Sequence, residues 1–316
     1  MRDPGLTRVL DAWGIPVRRG ARIVSPGGEL GNRSWHVWTQ HDHLVVRRYT
    51  ARHSAAEVRY ELAVLRHLGQ LGWSVPVPAA DLAEVDGRLY SLCSYVAGGP
   101  CDSGAESGRR RGALLARLHA ALLPLRDHLG QRPSWRAEPD LDNPRFKPDR
   151  QLGLDRVRSA DPALAEEIEQ ADAAARAELR GLRLDALPTF LLHGDFTTAN
   201  VRQRRGRPFG VIDFDVCHVG YRPWELAIAR LQRAPTMLDG YRGEAARFGI
   251  PLSAREEKVL PAVYRAFRMG MIGWALADGA RLGSVDRDFI RVQLEKLRMG
   301  LESVKGLEAA WSGNER

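Results

Sequence analysis

A chain of 316 residues with 44% hydrophobic and 27% charged content holds enough apolar material for one or two cores and too much for a disordered polymer. A formal charge of +8 raises the question of nucleic acid, yet acidic residues lie between the basic ones except in short runs at 109–111 and 202–207. A solvated basic face and no specific nucleic-acid partner are therefore expected.

No stretch approaches the roughly 18 uninterrupted apolar residues of a membrane helix, and Met1 is followed by Arg2, Asp3 and Pro4. The expectation is a cytoplasmic chain without a membrane partner. Cys93, Cys101 and Cys217 form an odd, widely spaced set that suits reduced thiols rather than a disulfide framework or zinc. Lys147, Lys258, Lys296 and Lys305 are the only lysines, so arginine carries nearly all the positive charge.

The first hundred residues read as short strands with one helix. Segments 21–25, 34–39 and 44–49 are β-rich and bounded by turn residues, as in an antiparallel meander. Ser54 and Glu57 form a capping box, after which Val58, Leu62, Leu65 and Leu68 recur at helical spacing until Gly69 and Gly72. A further strand is expected within 88–96, broken by Gly98, Gly99 and Pro100, which separate an N-terminal lobe, 1–97, from a C-terminal lobe, 98–316. Beyond that break Leu114, Leu115, Leu118 and Leu122 form a helical stripe, and further helices are expected around 161–180, 223–233 and 254–300. Two β-like runs, 189–192 and 209–214, are embedded among them, joined through Val201 and a polar turn over 204–207.

The first of these runs leads straight into His193, Gly194 and Asp195, with Asn200 five residues after the aspartate, the step found in kinase catalytic loops. The second ends in Val211, Ile212, Asp213, Phe214 and Asp215. Phosphoryl transfer needs a carboxylate to orient the attacking hydroxyl and oxygen ligands for a magnesium ion bridging the phosphates. Asp195, Asn200 and Asp213 supply these, and magnesium takes one or two carboxylates with water and phosphate completing its shell.

These motifs, His193-Gly194-Asp195 with Asn200 and Ile212-Asp213-Phe214, resemble the aminoglycoside phosphotransferase and choline kinase-like family, small-molecule kinases with the protein-kinase-like fold. The resemblance covers nearly the whole chain. It implies an α+β, bilobal fold: a small antiparallel sheet with one helix as the nucleotide-binding lobe, a hinge near 93–99, and a larger, mostly helical lobe with catalytic loop, metal site and acceptor pocket. It also implies that Asp195 orients or deprotonates the acceptor hydroxyl, that His193 braces the loop, that Asn200 and Asp213 hold Mg2+, and that Asp215 faces substrate or metal. Gly194 stands where protein kinases carry an arginine that engages a phosphorylated activation loop, which argues for a small acceptor.

In the N-terminal lobe, Gly27, Gly28 and Gly31 stand where the family places its nucleotide-covering loop, without spelling its glycine pattern. Val45 and Arg47 share one face of a strand and parallel the alanine and lysine of the kinase strand. With no lysine in this lobe, Arg47 takes the phosphate-binding role, a departure from the family, and Glu61 is its matching carboxylate. Ser94, Tyr95 and Val96 resemble the hinge whose backbone meets the adenine. His119 reads as a packed structural histidine, and Glu225 as a helix-start residue where the family has aspartate. By resemblance the carboxy-terminal helices build the acceptor site, with Trp274, Asp278 and the acidic stretch 286–288 as candidates. The expectation is a kinase using ATP or GTP to phosphorylate an amino-containing acceptor such as an antibiotic, working as a monomer or homodimer. A homoserine or choline kinase-like metabolic enzyme and a catalytically silent nucleotide-binding relative stand beside it.

Overall fold

Trp35 and Val37, Leu44 and Val46, and Tyr90 and Leu92 alternate with other side chains along three strands, and all six are buried. Alternation puts them on one face of a sheet. The computed structural model describes residues 4–15, 22–25, 32–135, 147–204, 209–231 and 236–298. It divides into two units interleaved along the chain, one of Met1–Asp102, Ala121–Pro133 and Thr197–Cys217, the other of Ser103–Ala120, Ser134–Phe196 and His218–Arg316.

In the first unit β1 (Arg22–Ser25), β2 (Arg33–Trp38), β3 (His43–Arg48), β4 (Ala83–Val85) and β5 (Arg88–Ser94) form an antiparallel sheet in the order β1-β2-β3-β5-β4. Leu6, Val9 and Leu10 of α1 (Pro4–Ala12) cover its apolar face. The sequence reading passed over α1, leaving α2 (Ala55–Gln70) as the lobe's one helix. The capping box at Ser54 and Glu57 opens α2. Arg47, which alternates away from Val46, meets Glu61 of α2, so this helix lies on the opposite side of the sheet from α1.

A second ladder in this unit pairs β6 (Gly99–Pro100) with β8 (Val201–Gln203) and β8 with β9 (Gly210–Val211). The glycine-proline break is therefore itself a short strand. The run 209–214 is strand only as far as Val211, because Asp213 turns the chain with φ +68°. Residues 205–208 of the polar turn lie outside the described residues.

The second unit is helical. It begins with α3 (Ala105–Leu129), whose last turns belong to the first unit, and continues with α4 (Lys147–Ala160) and α5 (Pro162–Arg180). β7 (Thr189–Leu192) pairs with β10 (His218–Tyr221), followed by α6 (Arg222–Leu231), α7 (Thr236–Arg247), α8 (Ala254–Leu282) and α9 (287–298). Ala266, Met269, Ile272 and Leu276 of α8 share a core with Val157, Leu164, Ile168, Ile290 and Leu294. The single helix expected over 254–300 is two: Gly283 adopts φ +83° and stops α8, and the Asp286 side chain accepts from the Phe289 amide at 2.9 Å to open α9. The sequence reading anticipated neither α4, α7 nor β10. Arg111, in a run read as a solvated face, is buried. The three cysteines are free and buried, and among the described residues no helix is long and apolar enough to cross a membrane.

One buried ion pair ties α6 to the start of α8. Arg222 donates to both Glu256 oxygens, at 2.5 and 2.6 Å, and to the carbonyls of Ile250 and Pro251, each at 2.6 Å. Glu256 also closes the capping box with Ser253. Arg222→Met is expected to lower stability by roughly 3–5 kcal/mol, because it strands a buried carboxylate. Arg242→Ala, which breaks the more exposed pair with Glu257, is expected to cost under about 1 kcal/mol. Urea midpoints of the two variants check the contrast.

Candidate active site

Phe190, Leu191 and Leu192 of β7 are buried, and the chain leaves that strand at His193, itself fully buried. Gly194 then takes φ +88°, a conformation L side chains rarely adopt, so the kinase-type arginine has no place there. The turn aims two successive amides at one acceptor: His193 N donates to Glu225 Oε2 at 3.1 Å and Gly194 N to Oε1 at 2.7 Å. The Asp195 amide donates to His193 Nδ1 at 3.2 Å, and the His193 ring meets Phe196 edge-on. His193 thus packs within the loop.

Glu225, read from sequence as a helix-start residue, does more. It is fully buried and lies 2.8 Å from His119 Nε2. Burial opposes its charge, but the His119 hydrogen bond, the electrostatic interactions with His119 and His193 and the Gly194 amide outweigh that and hold its carboxyl below the ordinary range. No local signal reveals this role, since the spacing from His193 is 32 residues.

Asn200, Asp213 and Asp215 belong to the first unit. The carbonyl of Asn200 accepts from the Ile212 amide at 2.9 Å, just beyond the Val201–Val211 pairing, so Asn200 and Asp213 flank the β8–β9 ladder. Arg47 donates to Asp213 Oδ1 at 2.8 Å, while the expected contact with Glu61 is a looser 3.7 Å. Asp215 accepts from Asn32 Nδ2 at 3.0 Å, and Asn32 Oδ1 in turn accepts from the Thr50 amide at 3.1 Å. Burial, then the charge of Asp213, pushes the Asp215 carboxyl up to about 7. Burial also raises the Glu61 carboxyl despite the nearby Arg47.

The face of β3 carrying Arg47 also carries Val45 and His43. Tyr95 stacks on His43 at 4.0 Å, and His43 on Trp38 at 4.6 Å. His36, the cross-strand partner of Val45, lies 2.5 Å from His43 Nε2 through its Nδ1. In the hinge segment the Ser94 amide donates to Val77 O at 2.8 Å, Ser94 Oγ accepts from the Val77 amide, and the Tyr95 amide donates to His43 O at 3.0 Å. Two hinge donors are thus committed within the protein, and Val96 is buried beside them. Gly28 and Gly31 lie outside the described residues.

Trp274 is half-exposed on α8, and Asp278, one turn on, accepts from Arg281 NH1 at 3.1 Å. Arg281 also bonds Asp149. The acidic stretch 286–288 is engaged locally: Asp286 caps α9, and Asp288 pairs with Arg291 at 3.2 Å. Among the described residues no three His, Cys, Asp or Glu side chains are grouped closely enough to hold a metal. A set of two aspartates and one asparagine instead suits magnesium, which fills its shell with phosphate and water.

Arg47→Met removes the cation facing Glu61 and Asp213. A carboxyl whose folded pKa lies above its unfolded value binds more protons when folded, so its contribution to stability falls as pH rises. With the Glu61 carboxyl already raised and Arg47 opposing the rise, the variant's stability deficit is expected to widen from pH 5 to pH 8. Denaturant midpoints across that range measure it, and a constant deficit would show that Glu61 does not depend on Arg47.

Residues 22–262 match the model of the phosphotransferase enzyme family. A homoserine kinase of Rhodopseudomonas palustris (strain BisB5) is 25% identical over 86% of this chain and 83% of its own. A microcompartment-associated aminopropanol kinase shares the fold with a TM-score of 0.64 at 19% identity, over 93% of this chain and 94% of its own. So does a spectinomycin phosphotransferase solved with ADP and spectinomycin, with a TM-score of 0.60 at 13% identity over 94% of this chain and 93% of its own. The chain belongs to the phosphotransferase enzyme family and is a small-molecule phosphotransferase with the kinase-like fold.

Proposed function

We propose that the chain transfers the γ-phosphoryl group of ATP or GTP to a hydroxyl of a small amino alcohol, with magnesium. The observation that carries the reading is the Arg47–Asp213 contact at 2.8 Å. It joins the strand cation suited to phosphates to the carboxylate suited to the metal, within one unit.

In this reading Asp195 accepts the hydrogen bond, then the proton, of the acceptor hydroxyl. The oxygen bonds to the γ-phosphorus as the bond from that phosphorus to the β–γ bridging oxygen breaks, leaving nucleoside diphosphate and a phosphate ester. Arg47 holds the α- and β-phosphates, and the Val45 face with His36 and Tyr95 covers the base. Asn200 and Asp213, with Asp215 beside them, hold magnesium, which when bound offsets phosphate charge. His193 and Glu225 keep Asp195 in register.

The acceptor binds along the open stripe of α8, where Phe267, Gly270, Met271, Trp274 and Asp278 keep access to solvent while their neighbours are buried. Trp224 meets Phe267 edge-on at 5.2 Å at one end of that stripe, and it adjoins Glu225 in the chain. At the other end Asp149 and Asp278 both bond Arg281. Acids already held by a guanidinium suit a monoamine better than a polycationic aminoglycoside. The homoserine kinase relative and the aminopropanol kinase neighbour support the same side.

Asp195→Ala is expected to lower turnover by about 10³-fold while nucleotide affinity stays within a few-fold. Chelation of magnesium is expected to stop turnover reversibly. A panel of homoserine, aminopropanol and choline against spectinomycin and aminoglycosides, followed by ADP release, tests the acceptor class. Preferential phosphorylation of the polycations would overturn it, and nucleotide binding without any turnover would favour a silent protein.

A further inference from the structure

The acid that holds the catalytic loop is itself held by a buried chain of side chains that no motif explains. His119 on α3 is fully buried, with Nε2 2.8 Å from Glu225 Oε2 and Nδ1 2.7 Å from the Tyr241 hydroxyl on α7. Arg222 NH1 lies 3.4 Å from the same hydroxyl. A carboxylate only accepts, so Nε2 is the donor toward Glu225. With the imidazole neutral, Nδ1 accepts from the Tyr241 O–H, and the Tyr241 oxygen accepts from Arg222. Every hydrogen bond in the series points the same way, from the Arg222 cation to the Glu225 anion, an arrangement in which each bond polarises the next. Two of its members also contact the strand that feeds the loop: the Arg222 guanidinium sits 4.5 Å over the Phe190 ring, and the His119 ring lies 5.6 Å from it.

We propose that His119 is a positioning residue for phosphoryl transfer. It acts through Glu225 on the amides of His193 and Gly194, and so on Asp195, while Arg222 and Tyr241 fix its tautomer and ring plane. The proposal rests on the phosphotransferase reading of Asp195. It departs from a merely packed histidine in one measurable respect: loss of the ring should loosen the loop and slow turnover without weakening nucleotide binding.

The experiment compares His119→Leu, His119→Gln and Tyr241→Phe in the full chain. It records hydrogen exchange at the 193–194 amides, turnover of MgATP with water as acceptor, and ATP affinity by calorimetry. His119→Leu is expected to speed exchange at those amides by about tenfold, with ATP affinity within about threefold. The same variant is expected to slow turnover by about 10–100-fold, as misplacement of a reacting group by about 1 Å does. The conservative His119→Gln keeps an N–H for Glu225 and should recover turnover to within about fivefold of the parent, while Tyr241→Phe, which leaves no cavity, should slow it by about two- to fivefold. A folded His119→Leu with exchange and turnover within about twofold of the parent overturns the proposal. Should that variant fail to fold, parent-like exchange and turnover in both other variants overturn it instead. Asp195→Ala is the control for the reading beneath: if it keeps full turnover, the role of Asp195 falls, while exchange at 193–194 still judges whether His119 positions the loop.

Discussion

A carboxylate taken out of water must collect hydrogen-bond donors from the protein or lose its charge, and much of the helical unit is arranged around one that does so. Glu225 is fully buried and takes its donors from two backbone amides of the catalytic loop and from His119. Those amides reach it only because Gly194 adopts a left-handed conformation, and the same turn sends the Asp195 amide to the ring of His193. A side chain needed to satisfy α6 therefore also dictates the path of the segment that carries Asp195. The glutamate meets both amides directly, at 3.1 and 2.7 Å.

The first unit answers a different electrostatic demand. Asp213, Asp215 and Glu61 bring three carboxyls into one neighbourhood, and Arg47, with a smaller contribution from Arg132, opposes their charge. A guanidinium is suited to this because its fork spreads donors over two directions, one toward Asp213 and one toward Glu61, where an ammonium offers a compact point charge. Arg47 thus pairs β3 with α2 and bonds directly to the Ile212–Asp215 segment. Arg47 is therefore already engaged at two acids, and under the proposed role phosphates would share its donors with them.

Where local chemistry decides, the sequence was legible. The capping box at Ser54 and Glu57, the strands around Trp35, Val46 and Leu92, and the order of His193, Asp195, Asn200 and Asp213 are written in adjacent residues. Reading failed where the deciding partner is distant or a single backbone angle intervenes. The apolar run through Phe214 continues past the point where Asp213, at φ +68°, ends the strand. Helical periodicity runs on through Gly283, which stops α8 by its own φ. β10 finds its partner 26 residues back in β7, and Glu225 finds its loop at a similar remove, so neither role has a local signature. His119 was rightly seen as packed, but packing among Glu225, Tyr241 and Phe190 is a more specific condition than burial.

Charge also bears on which acceptor the helical unit suits. A chain of net charge +8 repels cations at long range, so a cationic acceptor depends on local carboxylates to draw it in. Along the described surface of α8 and its neighbours those carboxylates are largely matched by arginine: Asp172 with Arg150 and Arg176, Asp149 and Asp278 with Arg281, Asp288 with Arg291. An acceptor bearing several ammonium groups would have to displace guanidinium groups from acids they already hold, losing charge-assisted hydrogen bonds for each one gained. Under the proposal above, a monoamine leaves those pairs in place, with Trp274 exposed one turn from Asp278 on α8. Aromatic surface beside a single acid is the recognition chemistry of a lone ammonium, since a ring face attracts the cation while the carboxylate fixes its position.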